Sequence, residues 1–164
     1  MTDVVVIGGG NAGLAAAIAV REVGASVLLL ERGPERWRGG NSFFTAGAFR
    51  FAFAGAEDVL KLVPKPAGVE VDLGSYPEAT FAEDSTRITL GRSDPELNRQ
   101  LVSRSYADMR WLKDHGVSFV LSFDRQAFLM AATIASSVGL VVKVEGHGCV
   151  ADRHTLREAA EPWR

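Results

Sequence analysis

The 164-residue sequence predicts an α/β fold with a central parallel sheet, and three adjacent features predict it. An apolar run at residues 4–7 has the composition of a buried strand. A glycine-rich turn at 8–13 then leads into an alanine-rich stretch at 14–20, which favours a helix. A second apolar run at 26–30 follows and ends on Glu31. This order forms a βαβ unit, whose two strands are parallel.

The glycines have the G-x-G-x-x-G spacing of a Rossmann-like, dinucleotide-binding turn. Gly8 permits the turn off the strand, Gly10 lets a pyrophosphate approach the backbone, and Gly13 lets the helix pack close to the sheet. The first N–H groups of the helix then face the phosphates. Glu31 stands about 20 residues further on, where a carboxylate accepts hydrogen bonds from a ribose. The alternative is a βαβ unit whose glycines only make a tight turn.

Composition and charge exclude several classes of function. The chain is 47% hydrophobic and 23% charged with a formal net charge of −2, so a nucleic acid partner is not expected. A single cysteine, Cys149, rules out an internal disulfide and fits a reducing compartment. We see no signal peptide and no apolar run long enough to span a bilayer. These observations predict a cytoplasmic protein.

Residues 53–93 are expected to be an irregular excursion, with a short helix at 58–63 and extended pieces at 69–71 and 87–90. Asp94-Pro95-Glu96 has the pattern of an N-cap, a proline at the first helical position and an acid in the first turn. This predicts a helix from there to about His115, ended by Gly116. Strands are expected at 117–121 and 139–144, and residues 122–137 are ambiguous.

A second group of residues after the second predicted strand favours FAD over NAD. NAD-specific folds usually continue into another βα unit here, whereas this chain makes a long excursion. Gly39 and Gly40 offer backbone N–H groups with no side chain beside them. Ser42 and Thr45 offer hydroxyls, and Arg32 and Arg38 offer positive charge near a bound cofactor.

The chain resembles the flavoproteins related to fumarate reductase and succinate dehydrogenase, and within that superfamily most of all the FAD-dependent tricarballylate dehydrogenases. The residues that carry the resemblance lie at 6–14, 30–32, 38–42, 45–50, 111–117 and 138–146. The likeness covers residues 3–148 and is loosest from 53 to 93.

The resemblance implies an FAD on the βαβ glycine turn and an inserted substrate-capping domain. It also implies hydride transfer between the flavin and a carbon beside a carboxylate, with a di- or tricarboxylate as substrate. The residues expected to bind FAD are Gly8, Gly10, Asn11, Ala12, Gly13, Glu31, Arg32, Arg38, Gly39, Gly40, Asn41, Ser42 and Thr45. No metal site is expected.

We expect residues 1–148 to be the N-terminal part of an FAD-binding domain, truncated before the capping domain, and residues 149–164 to be a divergent tail. The catalytic acid or base is then not among these residues and cannot be named. A partner chain or an electron-transfer protein is expected to act together with this chain. The alternative is a truncated, non-catalytic module that binds FAD or an adenine nucleotide and needs a partner chain.

Other candidate residues have a simpler structural explanation beside the functional one. Arg50 has the charge and the planar shape to bind a substrate carboxylate or the pyrophosphate. The favoured interpretation is that it is a surface arginine beside an aromatic cluster. His115 suits the C-terminal end of a helix, where its charge interacts with the dipole. His147, Cys149 and His154 lack the spacing of a metal site. One group of phenylalanines is expected either to line a flavin pocket or to form a half-buried strand. The members of this group are Phe43, Phe44, Phe49, Phe51 and Phe53.

Overall fold

The computed structural model describes residues 1–45, 47–64, 70–121, 128–130, 133–135 and 142–144. They belong to two units, Met1–Gly47 and Ala48–Val144. The predicted tail at 149–164 lies outside the described residues. None of the described helices combines the length and the apolar character needed to cross a lipid bilayer.

The first unit is a βαβ unit, as the sequence predicts. Strand β1 (Val4–Ile7) and strand β2 (Val27–Leu30) are parallel, in a register that runs from Val4 opposite Val27 to Ile7 opposite Leu30. Helix α1 (Asn11–Glu22) joins them and begins before the alanine-rich stretch, because the carbonyl of Gly10 already accepts the first helical bond from Leu14. The α/β class and the parallel pairing are therefore confirmed.

The segment after β2 folds into two short 3₁₀ helices, Glu35–Trp37 and Gly40–Phe44. Trp37 contacts Phe43 edge to face at 5.5 Å and stacks on Phe44 at 6.1 Å between ring centroids. These three rings form a local cluster that ties the second 3₁₀ helix to the first. The second 3₁₀ helix places Ser42 beside the glycine turn, as described below.

The described residues of the second unit form three helices and six short strands. The helices are α2 (Ala56–Leu60), α3 (Glu78–Ile88) and α4 (Pro95–Asp114). The strands are β3 (Ala48–Phe49), β4 (Glu70–Asp72), β5 (Phe119–Leu121), β6 (Phe128–Met130), β7 (Thr133–Ala135) and β8 (Val142–Val144). One sheet has the antiparallel order β3-β8-β5; the other has the order β4-β7-β6, in which β4 and β7 are parallel.

The extended piece predicted at 87–90 is wrong. Arg87 and Ile88 are the last two residues of helix α3. The helix buries Phe81, and this burial outweighs the local strand preference of the β-branched residues. Residues 53–93 thus include regular helices. Helix α4 is confirmed, because the Asp94 carboxylate accepts from the N–H groups of Glu96 and Leu97.

The hydrophobic core of the second unit forms around Phe51 and Phe119, which are both fully buried. Phe51, Ala52 and Phe53 are all buried, so the predicted half-buried alternation after residue 49 is wrong. The buried Ser105 hydroxyl accepts a hydrogen bond from the Ala52 N–H at 3.0 Å. Phe51 and Phe53 thus belong to the core of the unit, and a flavin pocket lined by the phenylalanines stays a prediction.

Candidate dinucleotide-binding site

Glu31 connects the two loops at the carboxyl ends of β1 and β2. Its Oε2 accepts from the Gly9 N–H at 2.8 Å, and its Oε1 accepts from the Gly33 N–H at 2.6 Å. The N–H groups of Gly33 and Gly9 hold the pKa of this carboxyl below its ordinary value of 4.5. Glu31 is exposed and therefore presents a carboxylate at neutral pH.

The glycine turn is crowded where it meets α1. Gly8 has a φ of +102°, which takes the chain off β1. A Cβ on Gly13 would lie 1.9 Å from the carbonyl oxygen of Gly8, so α1 approaches the turn as closely as a bare backbone allows. A Cβ on Gly10 would lie 3.3 Å from the Gly39 carbonyl oxygen and 3.5 Å from Ser42 Oγ. The second glycine therefore faces the 39–42 loop, and its contact with a pyrophosphate stays a prediction.

Ser42 lies at the N-terminus of α1. Its Oγ accepts from the Asn11 N–H at 3.1 Å. Because the hydroxyl accepts this bond, its own hydrogen is directed elsewhere and can be donated to an anion. Gly10, the N-cap residue, supplies no side-chain cap, and the positive end of the helix dipole faces this loop. The site therefore combines helix N–H groups with a hydroxyl, a combination that suits a phosphate.

Most of the other predicted residues lie on the segment after β2, and Ala12 lies in α1. Arg38 forms an ion pair with Glu35 at 3.1 Å, and the Thr45 hydroxyl donates to the Ser42 carbonyl at 3.2 Å. Gly39 is buried with a φ of +107°. The predicted residues that are exposed are Ala12 in α1 and, after β2, Glu31, Arg32, Gly40, Asn41 and Thr45.

Sequence reasoning missed two residues that the structure brings to Glu31. Gly9 and Gly33 each donate a backbone N–H to its carboxylate. Gly33 stands two positions after Glu31, directly before Pro34, and this spacing is the signal for a turn that folds back on the acid. The structure therefore brings Glu31, the glycine turn and Ser42 into one hydrogen-bonded system.

Arg50 belongs to a separate cluster inside the second unit. Its Nη1 donates to Tyr76 Oη at 2.7 Å and to Asp84 Oδ2 at 2.9 Å, and the Tyr76 hydroxyl donates to the same carboxylate oxygen at 2.8 Å. Burial raises the pKa of Tyr76, so its proton stays in place at neutral pH. This placement supports the structural explanation of Arg50.

His115 also has the structural role expected of it. Its Nδ1 lies 2.8 Å from the Trp111 carbonyl oxygen, at the last turn of α4. The ring therefore caps the helix end. His147, Cys149 and His154 lie outside the described residues.

The donor set fits the adenosine diphosphate part of FAD. A carboxylate offers about four acceptor positions, and the two backbone N–H groups use two of those on Glu31, which leaves positions for two ribose hydroxyls. Gly13 packs against the Gly8 carbonyl and Gly10 against the 39–42 loop, so the side chain at the helix N-terminus beside them is the short Ser42 hydroxyl. Bare N–H groups and a hydroxyl beside a helix N-terminus suit a diphosphate.

Comparisons with known proteins agree with this fit. The family model described as "FAD binding domain" matches residues 3–159. A vinyl phenol reductase of Lactiplantibacillus plantarum is 36% identical over 126 residues, which cover 71% of this chain and 21% of the relative. A fumarate reductase (cytochrome) of Shewanella frigidimarina is 32% identical over 114 residues, which cover 70% of this chain and 18% of the relative.

A solved structure shares the fold. The open conformation of a flavocytochrome c3 fumarate reductase superposes with a TM-score of 0.64 at 23% identity, over 98% of this chain and 25% of that one. The chain spans about a fifth of the length of the two curated relatives. It belongs to the FAD binding domain family, in the flavoprotein superfamily of fumarate reductase and succinate dehydrogenase, and the cofactor of this family is FAD.

Proposed function

We propose that the chain forms the FAD-binding part of an oxidoreductase that acts on the CH–CH bond of a di- or tricarboxylate, as in tricarballylate dehydrogenase or fumarate reductase. One observation carries the proposal: Glu31 is hydrogen-bonded to both loops that flank the N-terminus of α1. An acid held in this place can orient a ribose while the helix N-terminus holds a diphosphate.

Each residue of the site has a separate task in this proposal. Glu31 accepts the ribose hydroxyls, and the N–H groups of Ala12 and Gly13 together with the Ser42 hydroxyl bind the diphosphate. Arg32 and Arg38 add positive charge near the phosphates or the adenine. When bound, FAD supplies the hydride chemistry. The residues of this chain bind and orient the cofactor, and we assign no proton transfer to any of them.

The names of the relatives support the reaction class. One relative is called a vinyl phenol reductase and another a fumarate reductase. Fumarate and vinyl phenols both contain a carbon–carbon double bond, so reduction at that bond is the shared chemistry. The fumarate reductase supports a carboxylate substrate, and the resemblance of the chain to tricarballylate dehydrogenases supports a tricarboxylate.

A second candidate function is a non-catalytic module that binds FAD or an adenine nucleotide and needs a partner chain. It is supported by the site itself, whose groups at Glu31, the glycine turn and Ser42 suit the binding of a nucleotide and have no proton transfer assigned to them. An electron-transfer protein is a further expected partner of the enzyme. The cytoplasmic location stays a prediction from the sequence.

The visible spectrum of the purified protein tests the proposal. We expect an oxidised flavin spectrum, or its appearance after addition of FAD. Bleaching by tricarballylate or succinate would support the oxidoreductase, and bound flavin without bleaching would support the module. A protein that stays colourless in excess FAD would contradict both. Glu31→Ala should lower FAD affinity, since it removes the ribose acceptor, whereas the exposed Glu83→Gln in α3 should leave it unchanged.

A further inference from the structure

Three aromatic side chains lie on the segment that follows Glu31, and we call them the aromatic cluster. Trp37 ends the first 3₁₀ helix, and Phe43 and Phe44 end the second. The cluster is exposed, because Trp37 keeps 47% and Phe44 keeps 70% of its surface open to solvent. Adjacent exposed rings form an apolar patch, and a patch of this kind marks a binding site.

One end of the aromatic cluster adjoins the carboxylate of Glu31. A Cβ on Gly33 would lie 3.2 Å from Glu31 Oε1 and 3.5 Å from the Trp37 carbonyl oxygen. Gly33 therefore contacts both residues, and its N–H donates to the same Oε1 at 2.6 Å. The turn is fixed further by the Trp37 N–H, which donates to the Pro34 carbonyl at 2.8 Å. The backbone of Trp37 is thus held next to the acid that we propose as the ribose acceptor.

The other end of the aromatic cluster adjoins the hydroxyl at the N-terminus of α1. Phe43 and Phe44 directly follow Ser42, whose Oγ accepts from the Asn11 N–H. Because Trp37 contacts both phenylalanine rings, the cluster links the segment of the acid to the segment of the hydroxyl. The base of a nucleotide is bonded directly to its ribose. A ribose held by Glu31 therefore brings the base close to Trp37.

The charges around Trp37 favour a nucleotide base over an apolar partner. Arg36 and Arg38 stand on either side of it in the sequence, and the guanidinium carbon of Arg36 lies 5.7 Å from the centroid of the Trp37 ring. An apolar protein surface that covered this ring would also strip water from Arg36, which is costly. A base combines a flat face that stacks on an aromatic ring with polar edges that stay in water. A purine, with two fused rings, covers more of the indole than a pyrimidine does.

We propose that Trp37 stacks on the adenine of the bound nucleotide and makes the site selective for a purine. Phe44, whose ring lies 21° from the plane of the indole, supports Trp37 in this position. This inference rests on the proposed function, because it takes Glu31 as the ribose acceptor. Trp37 determines which base is bound and has no part in the hydride transfer.

The test compares ADP with UDP, which have the same ribose and diphosphate and differ in the base. The Kd of each is measured by isothermal titration calorimetry on the 164-residue chain. We expect wild type to prefer ADP by about tenfold, because a purine stacks over more of the ring. Trp37→Leu should weaken ADP binding by about tenfold and change UDP binding by less than about threefold, so that the preference is lost. Trp37→Phe, which keeps a ring, should retain part of the preference.

The matched control is Trp111→Leu, the same change on α4 in the second unit, where the indole contacts the His115 ring at 4.2 Å between centroids. It should leave the ratio of the two Kd values unchanged. Circular dichroism checks that each variant retains the fold. If Trp37 only supports the local structure, Trp37→Leu will weaken ADP and UDP by the same factor, and this result would overturn the inference. A loss of the preference in Trp111→Leu would overturn it as well.

Titration of the same proteins with FAD separates this inference from the proposed function. A chain that prefers ADP through Trp37 and takes up no FAD would support the role of Trp37 and contradict the proposed cofactor role. A chain that binds FAD equally well in wild type and in Trp37→Leu would overturn the inference and leave the proposed function in place. A wild-type chain that binds neither nucleotide, or binds both equally, would also overturn the inference.

Discussion

Ser42 Oγ accepts a hydrogen bond from the backbone N–H of Asn11 at 3.1 Å, although the two residues are 31 positions apart. The bond joins the second 3₁₀ helix to the first residue of α1. It places a side-chain hydroxyl at the helix N-terminus, where an anion would bind. The two glycine-rich segments of the sequence are thus joined by a direct hydrogen bond.

Replacement of this hydroxyl should weaken FAD binding. Ser42→Ala removes one donor to the diphosphate and one acceptor for Asn11, so we expect a loss of about 1 kcal/mol, or about fivefold in Kd. Quenching of flavin fluorescence on titration measures the change. Ser103→Ala is the control, since that exposed hydroxyl donates to the Gln100 carbonyl on α4. Equal affinities for the two variants would remove Ser42 from the site.

Glu31 should make the βαβ unit sensitive to acid. The N–H groups of Gly33 and Gly9 hold its pKa below the ordinary 4.5 in the folded chain. A carboxyl whose folded pKa is lowered contributes stability above its unfolded pKa and loses that contribution as the pH falls through the folded pKa. We therefore expect wild type to exceed Glu31→Gln in stability at neutral pH and the difference to shrink below pH 4.5.

Urea unfolding midpoints of the two proteins, measured from neutral pH into the acid range, check this expectation. Glu83→Gln is the control, because Glu83 is exposed on α3. A wild-type advantage over Glu31→Gln that stays constant through the acid range would contradict the role given to the carboxylate. So would an identical pH dependence for the two variants.

Sequence patterns predict the βαβ unit well because its signals are local. The aliphatic runs, the glycine spacing and Glu31 each follow from short-range geometry, and the structure has both strands and α1 in that order. The cap of α4 is equally local, since Asp94 bonds to N–H groups two and three residues away. Patterns of this kind need no knowledge of distant contacts.

Sequence patterns give wrong predictions where tertiary packing determines the local structure. Residues 87–88 have β-branched neighbours, yet they close α3, which is held by the burial of Phe81. Phe51 and Phe53 stand two positions apart, as residues on one face of a strand do, but Ala52 between them is buried as well. The bond between Ser42 and Asn11 spans 31 residues, so proximity along the chain gives no hint of it.

Gly13 should tolerate no side chain. A Cβ there would lie 1.9 Å from the Gly8 carbonyl oxygen, so α1 or the turn must shift. Gly13→Ala should therefore destabilise the first unit by about 1–3 kcal/mol and abolish FAD binding. Gly55→Ala is the control, with open space around the Cβ position and a φ of −177°. Wild-type FAD affinity in Gly13→Ala would contradict the crowding.

Ser105 should be important for the second unit. Its buried hydroxyl accepts from the Ala52 N–H at 3.0 Å and donates to the Val102 carbonyl at 2.8 Å. Ser105→Ala leaves a buried N–H without its acceptor, which costs about 1–3 kcal/mol. Urea unfolding followed by tryptophan fluorescence measures the loss, and Ser103→Ala again serves as the exposed control. A loss no larger than that of the control would contradict the role of Ser105.

Arg50 should affect stability and leave FAD affinity unchanged. Its Nη1 donates both to Tyr76 Oη and to Asp84 Oδ2, a geometry that the point charge of a lysine does not reproduce. We expect Arg50→Lys to lower the melting temperature by about 2–4 °C. The Kd for FAD, measured by the same titration, should stay within about twofold, a change smaller than one ordinary hydrogen bond. An unchanged melting temperature with much weaker FAD binding would instead place Arg50 at the pyrophosphate.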